Sequence, residues 1–172
     1  LKLEVIYSDG SNEIIVSDES WKTSASPITF TSIYGGENYD ARLEQDGWNK
    51  PGYNDLNWKN VLEVKEPSGI LQPENDYPVK VNEVIDYKRI SLQKDSLYIY
   101  DFDQNASGII KIRIRGKKGQ NVKFFPGELL GEDSLVTQQA TGEPYYFSYF
   151  LKGGNEEVWM PRFTYYGFRY IQ

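Results

Sequence analysis

The stretch Val158-Trp159-Met160-Pro161-Arg162-Phe163-Thr164-Tyr165-Tyr166-Gly167-Phe168-Arg169-Tyr170 decides the fold, because no other segment packs so many aromatic rings around one glycine. Phe163 and Tyr165 alternate onto one face of an extended strand, and Phe168 and Tyr170 resume the alternation once Tyr166-Gly167 has shifted its phase. A glycine inside such a pattern predicts a bulge that re-aims the side chains after it. The expected result is a bent aromatic strand of the kind that closes a β-sandwich core.

Working outward, the same period of two recurs along the chain. Ile110, Ile112 and Ile114 alternate with Lys111, Arg113 and Arg115, which predicts a strand with one dry and one wet face. Gly116-Lys117-Lys118-Gly119 then leads into Val122 and Phe124 and reads as a hairpin turn. Tyr98, Tyr100 and Phe102 alternate with Ile99 and Asp101, and Tyr145 to Leu151 is another apolar strand. Near the start, Leu3 and Val5 lead through Ser8-Asp9-Gly10-Ser11 into Ile14-Ile15-Val16. Pro27 to Tyr34 is read as a strand stopped by Gly35-Gly36. Residues 46–58, DGWNKPGYNDLNW, are turn chemistry with aromatic anchors and one short helical turn around Asp55–Trp58. No long helix is predicted. The fold class expected is all-β, a β-sandwich of jelly-roll, galactose-binding-like type with only short helical turns. Residues 1–172 are expected to form a single module, with a Pro/Gly-rich seam at Pro67–Pro78 that would divide 1–77 from 78–172.

Composition narrows the chemistry. The net charge of −6 argues against nucleic acid or an anionic membrane as partner, since phosphate binding needs a positive surface. No apolar run is long enough to span a bilayer as a helix, and no basic-then-apolar start predicts a signal peptide. The chain opens at Leu1 and its only methionine is Met160, so a piece of a longer protein is expected. With no cysteine there is no disulfide or thiolate site, and with no histidine there is no imidazole base and no usual zinc site. Chemistry is left to carboxylates, lysines, tyrosines or an oxygen-bound cation.

Taken together, SDGS (8–11), SDESW (17–21), GGENYDAR (35–42), GWNKPGYNDLNW (47–58), PVKV (78–81), YDFDQNASG (100–108), GKKGQNVKFFPGE (116–128) and EVWMPRFTYYGFRY (157–170) resemble bacterial α-L-rhamnosidases. The likeness is to the non-catalytic β-sandwich region that precedes the catalytic barrel in that family, and it covers nearly the whole chain. It implies an accessory module whose partners are the other domains of the parent enzyme and rhamnose-containing glycans, with catalysis placed beyond Gln172. It leaves open whether the parent works inside or outside the bacterial membrane. Asp103 stands where the family more often carries glycine, which predicts a different backbone shape there.

The resemblance also points to a ligand site. Some modules of the family bind rhamnose through Ca²⁺ at the YDxR stretch, which implies Tyr39 and Asp40 here, with Asn75 and carbonyls near Pro78 completing the shell. Asp40 and Asn75 would be the metal ligands, and Tyr39, Asp40 and Asn75 the sugar contacts. Ala41 replaces an asparagine of those modules and removes one ligand. The other reading makes Asp40 and Arg42 a structural pair at a sheet edge. No cofactor is required for the accessory role, and Ca²⁺ enters only with the rhamnose-binding reading. A rival hydrolase would need two flanking carboxylates; Glu37 with Asp40, Glu44 with Asp46, and Asp101 with Asp103 are the candidate pairs, read here as turn and capping groups. Asp101, Gln104 and Asn105 are assigned to a loop between strands. Trp21, Trp48, Trp58 and Trp159 are available for sugar stacking, but at least three are expected in the core. Asn105-Ala106-Ser107 fits a glycosylation sequon, idle in a bacterial protein.

Overall fold

Asp9 makes the first hairpin: its carboxylate accepts from the Ser11 amide at 2.9 Å and the Ser11 hydroxyl at 2.6 Å, and Gly10 supplies the left-handed residue at φ 84°. That turn joins β1 (Lys2–Ile6) to β2 (Asn12–Val16) in antiparallel register. The computed structural model describes every residue except 66, 67, 71, 73, 74 and 143. Those residues fall into two compact units, Leu1–Ala25 with Gln45–Val79, and Ser26–Glu44 with Lys80–Gln172. The units are therefore not consecutive in sequence.

The first unit continues with β3 (Lys22–Thr23), which belongs to the same unit as the turn-rich 46–58 segment. In chain order β4 (Ile28–Ser32) and β5 (Gly36–Asp40) come next and belong to the second unit, and β6 (Lys59–Asn60) returns to pair with β3. Gln45 organises the turn segment. Its Oε1 accepts from the Trp58 indole at 2.8 Å and the Tyr53 hydroxyl at 3.0 Å, and its amide donates to Ser24 at 2.9 Å. Trp21 is 39% and Trp48 58% exposed, so the expectation of a tryptophan core fails in this unit. Short strands and polar turns leave too little apolar surface to cover them. Only Trp159, in the other unit, is buried.

The second unit carries β7 (Arg89–Lys94), β8 (Leu97–Gly108), β9 (Ile112–Ile114), β10 (Asn121–Phe124), β11 (Pro126–Gly127), β12 (Leu129–Leu130), β13 (Val136–Thr137), β14 (Tyr146–Phe150), β15 (Glu157–Trp159) and β16 (Tyr166–Ile171). Two four-stranded sheets run in the orders β10-β14-β5-β4 and β11-β16-β8-β7. Phe147 and Tyr149 from the first and Phe168 and Ile171 from the second share one core with Ala41, Ile110, Leu151 and Trp159. That is a β-sandwich, and the only helices among the described residues are two three-residue 3-10 turns.

Pairing departs from the sequence reading in four places. Residues 36–40, taken as a loop, form a strand that lies parallel to β14 inside the first sheet. Gly36 permits this: at φ 96°, a Cβ there would sit 1.9 Å from the Tyr146 carbonyl. Residues 110–124 are no hairpin, because β9 pairs with β15 and β10 with β14. The Gly119 amide bonds the Leu151 carbonyl instead, at 2.8 Å. Asp101, Gln104 and Asn105 lie within the long strand β8 rather than in a loop. Finally, the bulge of the closing strand is not at Gly167, which pairs in register with Ser107. The single residue Arg169 faces Phe102 through Asn105 of β8, so the extra residues sit on the partner strand. Residues 160–165 before β16 bend rather than extend, so Phe163 and Tyr165 precede the strand.

Candidate functional site

At the end of β5, Asp40 caps the Ala41–Leu43 turn. Its Oδ1 accepts from the Arg42 amide at 3.0 Å and Nε at 2.8 Å, and its Oδ2 from Arg42 Nη2 at 2.6 Å. This bidentate pair, chiefly through the side-chain hydrogen bonds, holds the carboxyl below its usual range. Both oxygens thus face a guanidinium, which lies 5.3 Å from the Phe150 ring. Ala41 is 2% exposed and belongs to the apolar core, so position 41 points away from any surface ligand. The structural pair is the arrangement this geometry favours.

Tyr39 is likewise committed. Its ring stacks on Tyr149 at 5.6 Å and 7°, and its hydroxyl donates to Glu44 at 3.0 Å. Burial, then the Glu44 carboxylate, push its phenol pKa up. Glu44 also pairs with Lys152. A recess of about 290 Å³ lies beside Tyr39, Glu44 and Arg162. Asn75 belongs to the other unit and is exposed. Residues 71, 73 and 74 of the predicted 67–78 ligand loop lie outside the described residues, as do 66 and 67 at its edge. Among the described residues no three carboxylates converge as a metal cluster.

The Asp101–Asp103 pair is held just as firmly. Asp101 accepts from Arg169 at 2.9 and 3.1 Å, from Arg89 at 2.7 and 3.1 Å, and from the Asp103 amide at 2.8 Å. Arg169 first, then Arg89, hold its carboxyl far below the ordinary range. Asp103 adopts φ 69° and accepts from Arg89 at 2.8 Å. An aspartate is among the few residues that tolerate this left-handed shape, which explains how it stands where glycine is usual. The cluster ties β7, β8 and β16 together. Glu157, 5% exposed, accepts from the Tyr149 hydroxyl and the Lys152 and Gly153 amides.

Glu37 differs. It is fully buried in β5, its Oε2 accepts from the Arg162 amide at 3.2 Å, and Oε1 has no hydrogen-bond partner among the described residues. Burial pushes its pKa up, against the pull of the Arg162 and Phe163 amides. A raised carboxyl suits a general acid, yet one sealed inside a sandwich cannot reach a glycosidic oxygen. Its visible effect is on residues 160–165, which it anchors together with Thr164, whose hydroxyl donates to the Ile33 carbonyl at 3.1 Å.

Beyond those anchors lies a cleft of about 540 Å³, lined among others by Tyr34, Glu128, Tyr145, Phe163, Tyr165 and Tyr166. The sequence reading missed it because its walls come from residues 33–34, 128, 141–142, 145 and 163–167, which only the fold brings together.

Two sequence profiles divide the chain, the α-L-rhamnosidase N-terminal domain over residues 1–83 and the bacterial α-L-rhamnosidase concanavalin-like domain over 91–172. The chain belongs to the α-L-rhamnosidase family. An α-L-rhamnosidase of Formosa agariphila is 37% identical over 177 residues, which is 99% of this chain and 19% of that protein. The solved α-L-rhamnosidase of Dictyoglumus thermophilum superposes with a TM-score of 0.92 at 39% identity, over 99% of this chain and 19% of its own. That of Streptomyces avermitilis, solved with L-rhamnose, gives 0.90 at 33% identity, over 99% and 17%. The chain thus spans a fifth or less of the rhamnosidases it matches.

Proposed function

We propose that this chain is a non-catalytic accessory region of an α-L-rhamnosidase, scaffolding domains that lie outside it. The observation that carries the reading is the coverage: the rhamnosidases match nearly all of this chain with a fifth or less of their own length. The state of the carboxylates agrees. Asp40 and Asp101 are each bound by arginine and Glu37 is sealed from solvent, so none of these three is available as the open acid or base that the rival hydrolase reading needs. β7 supplies a face for a neighbour. It is an edge strand with Ile90 and Leu92 outward at 48% and 60% exposure, and an apolar edge invites association when left bare.

Hydrogen exchange tests the scaffold. Amides of residues 89–94 are expected to exchange faster in the isolated chain than in a parent rhamnosidase carrying it. Equal protection in both would remove β7 as the contact and leave the scaffolding reading without a surface.

A further inference from the structure

We infer that the cleft beside the 160–165 bend is a binding subsite for a neutral pyranoside, with Phe163, Tyr165 and Tyr34 as its apolar platform and Glu128 as its hydroxyl acceptor. Three observations converge on it. First, the rings are held outward by buried polar anchors. Glu37 and Thr164 are fully or nearly fully buried and bond residues 162 and 33 across the unit. Phe163, Tyr165 and Tyr34 meanwhile stand 59%, 60% and 80% exposed. Burying a carboxyl to fix a bend that leaves aromatic rings in water is costly for stability alone, and it preorganises a platform.

Second, the polar groups of the cleft suit hydroxyls. Glu128 Oε1 accepts from Asn105 at 2.7 Å, while no hydrogen bond among the described residues engages Oε2. Gly167 makes room for that carboxylate, since a Cβ there would lie 3.2 Å from Oε1. Tyr166 lines the same cleft, while its hydroxyl is buried beside Thr164.

Third, the lining disfavours anionic ligands. Among the described residues no lysine or arginine lines the cleft, so phosphates and sugar acids have no counter-charge. A flat apolar helix from a neighbouring domain would bury the second oxygen of Glu128 without a partner. An organic cation would also suit the rings and the carboxylate, so it is run as a control below. A pyranose offers an apolar C–H face for the rings and an equatorial hydroxyl edge for the carboxylate. The volume also lies within the usual range of small-ligand clefts, roughly 300–1,000 Å³. This site is separate from the Asp40 stretch and needs no cation.

The test is a titration of the labelled chain with methyl α-L-rhamnopyranoside into the tens of millimolar, followed by amide and aromatic NMR shifts. The choice of sugar rests on the rhamnosidase reading, so methyl α-D-mannopyranoside is run beside it. Tetramethylammonium serves as the cationic control. Shifts are expected at 33–34, 128 and 163–167, unchanged by EDTA. Phe163→Ala and Glu128→Gln, both at exposed positions, are each expected to weaken binding about five- to tenfold while leaving the rest of the spectrum intact. Mannoside binding without rhamnoside binding would keep the subsite and weaken the family assignment of its ligand. Shifts elsewhere, shifts with the cation alone, or none with either sugar would overturn the proposal and leave the accessory role standing.

Discussion

At the scale of single residues, two carboxylates with opposite environments dominate. Asp101 sits between two guanidiniums and is held below the ordinary aspartate value of 3.8. Its stabilisation is therefore complete above that value and lost as pH falls through the lower folded value. Glu37 lies above the ordinary glutamate value of 4.5. Its contribution has the opposite sign, present in full below 4.5 and lost as pH rises through the raised folded value. Asp101→Asn is expected to cost about 1–2 kcal/mol at neutral pH, discounted for the exposure of Arg89, and to flatten the acid limb of a stability–pH curve. Glu37→Gln is expected to flatten the limb above 4.5 and keep the bond from the Arg162 amide. Glu37→Ala is expected to cost about 2–4 kcal/mol through a cavity and an orphaned amide. Urea unfolding of the three variants across pH checks all of this; parallel curves for Glu37→Gln and the parent chain would mean that Glu37 does not titrate as described.

At the scale of elements, strands were legible wherever the period of two was strong. Ile112 to Ile114 announces itself by alternation, and Tyr146 to Phe150 by a continuous apolar, aromatic run. Partners were not legible. β9 finds β15 and β10 finds β14 across distances that no local turn signal reports. The strand Gly36–Asp40 was hidden because Glu37, Asn38 and Asp40 read as loop residues. Its burial follows from parallel pairing with β14, which alternation cannot reveal. Asp103 was a half-legible case: its departure from glycine was visible, and the left-handed backbone behind it was not. Gly36 tests the parallel pairing. Gly36→Ala drives a Cβ into the Tyr146 carbonyl, so a loss of about 3 kcal/mol or more is expected. Gly10 has a similar φ but open space around it, so Gly10→Ala is expected to cost only about 1–2 kcal/mol. Thermal melts that rank the two the other way would contradict the register at Gly36.

At the scale of the whole molecule, the family was legible from motifs spread along the chain, while the site it implied was not confirmed by geometry. Asp40 was chosen by its place in a motif, yet a motif does not say that Arg42, two residues on, has taken both oxygens. The buried Ala41 tells the same story. Calorimetric titration with Ca²⁺ is accordingly expected to show no saturable heat, and Asp40→Ala is expected to act on stability alone. Saturable calcium binding abolished by Asp40→Ala would restore the cation site.

On the accessory reading proposed above, rhamnoside hydrolysis needs residues from other domains of the parent enzyme. The most direct measurement is hydrolysis of 4-nitrophenyl α-L-rhamnopyranoside by the purified chain at high concentration over a broad pH range. No release of nitrophenolate above the uncatalysed rate is expected at any pH. Turnover that co-purifies with the chain and disappears in Glu37→Gln or another single carboxylate variant would contradict the account.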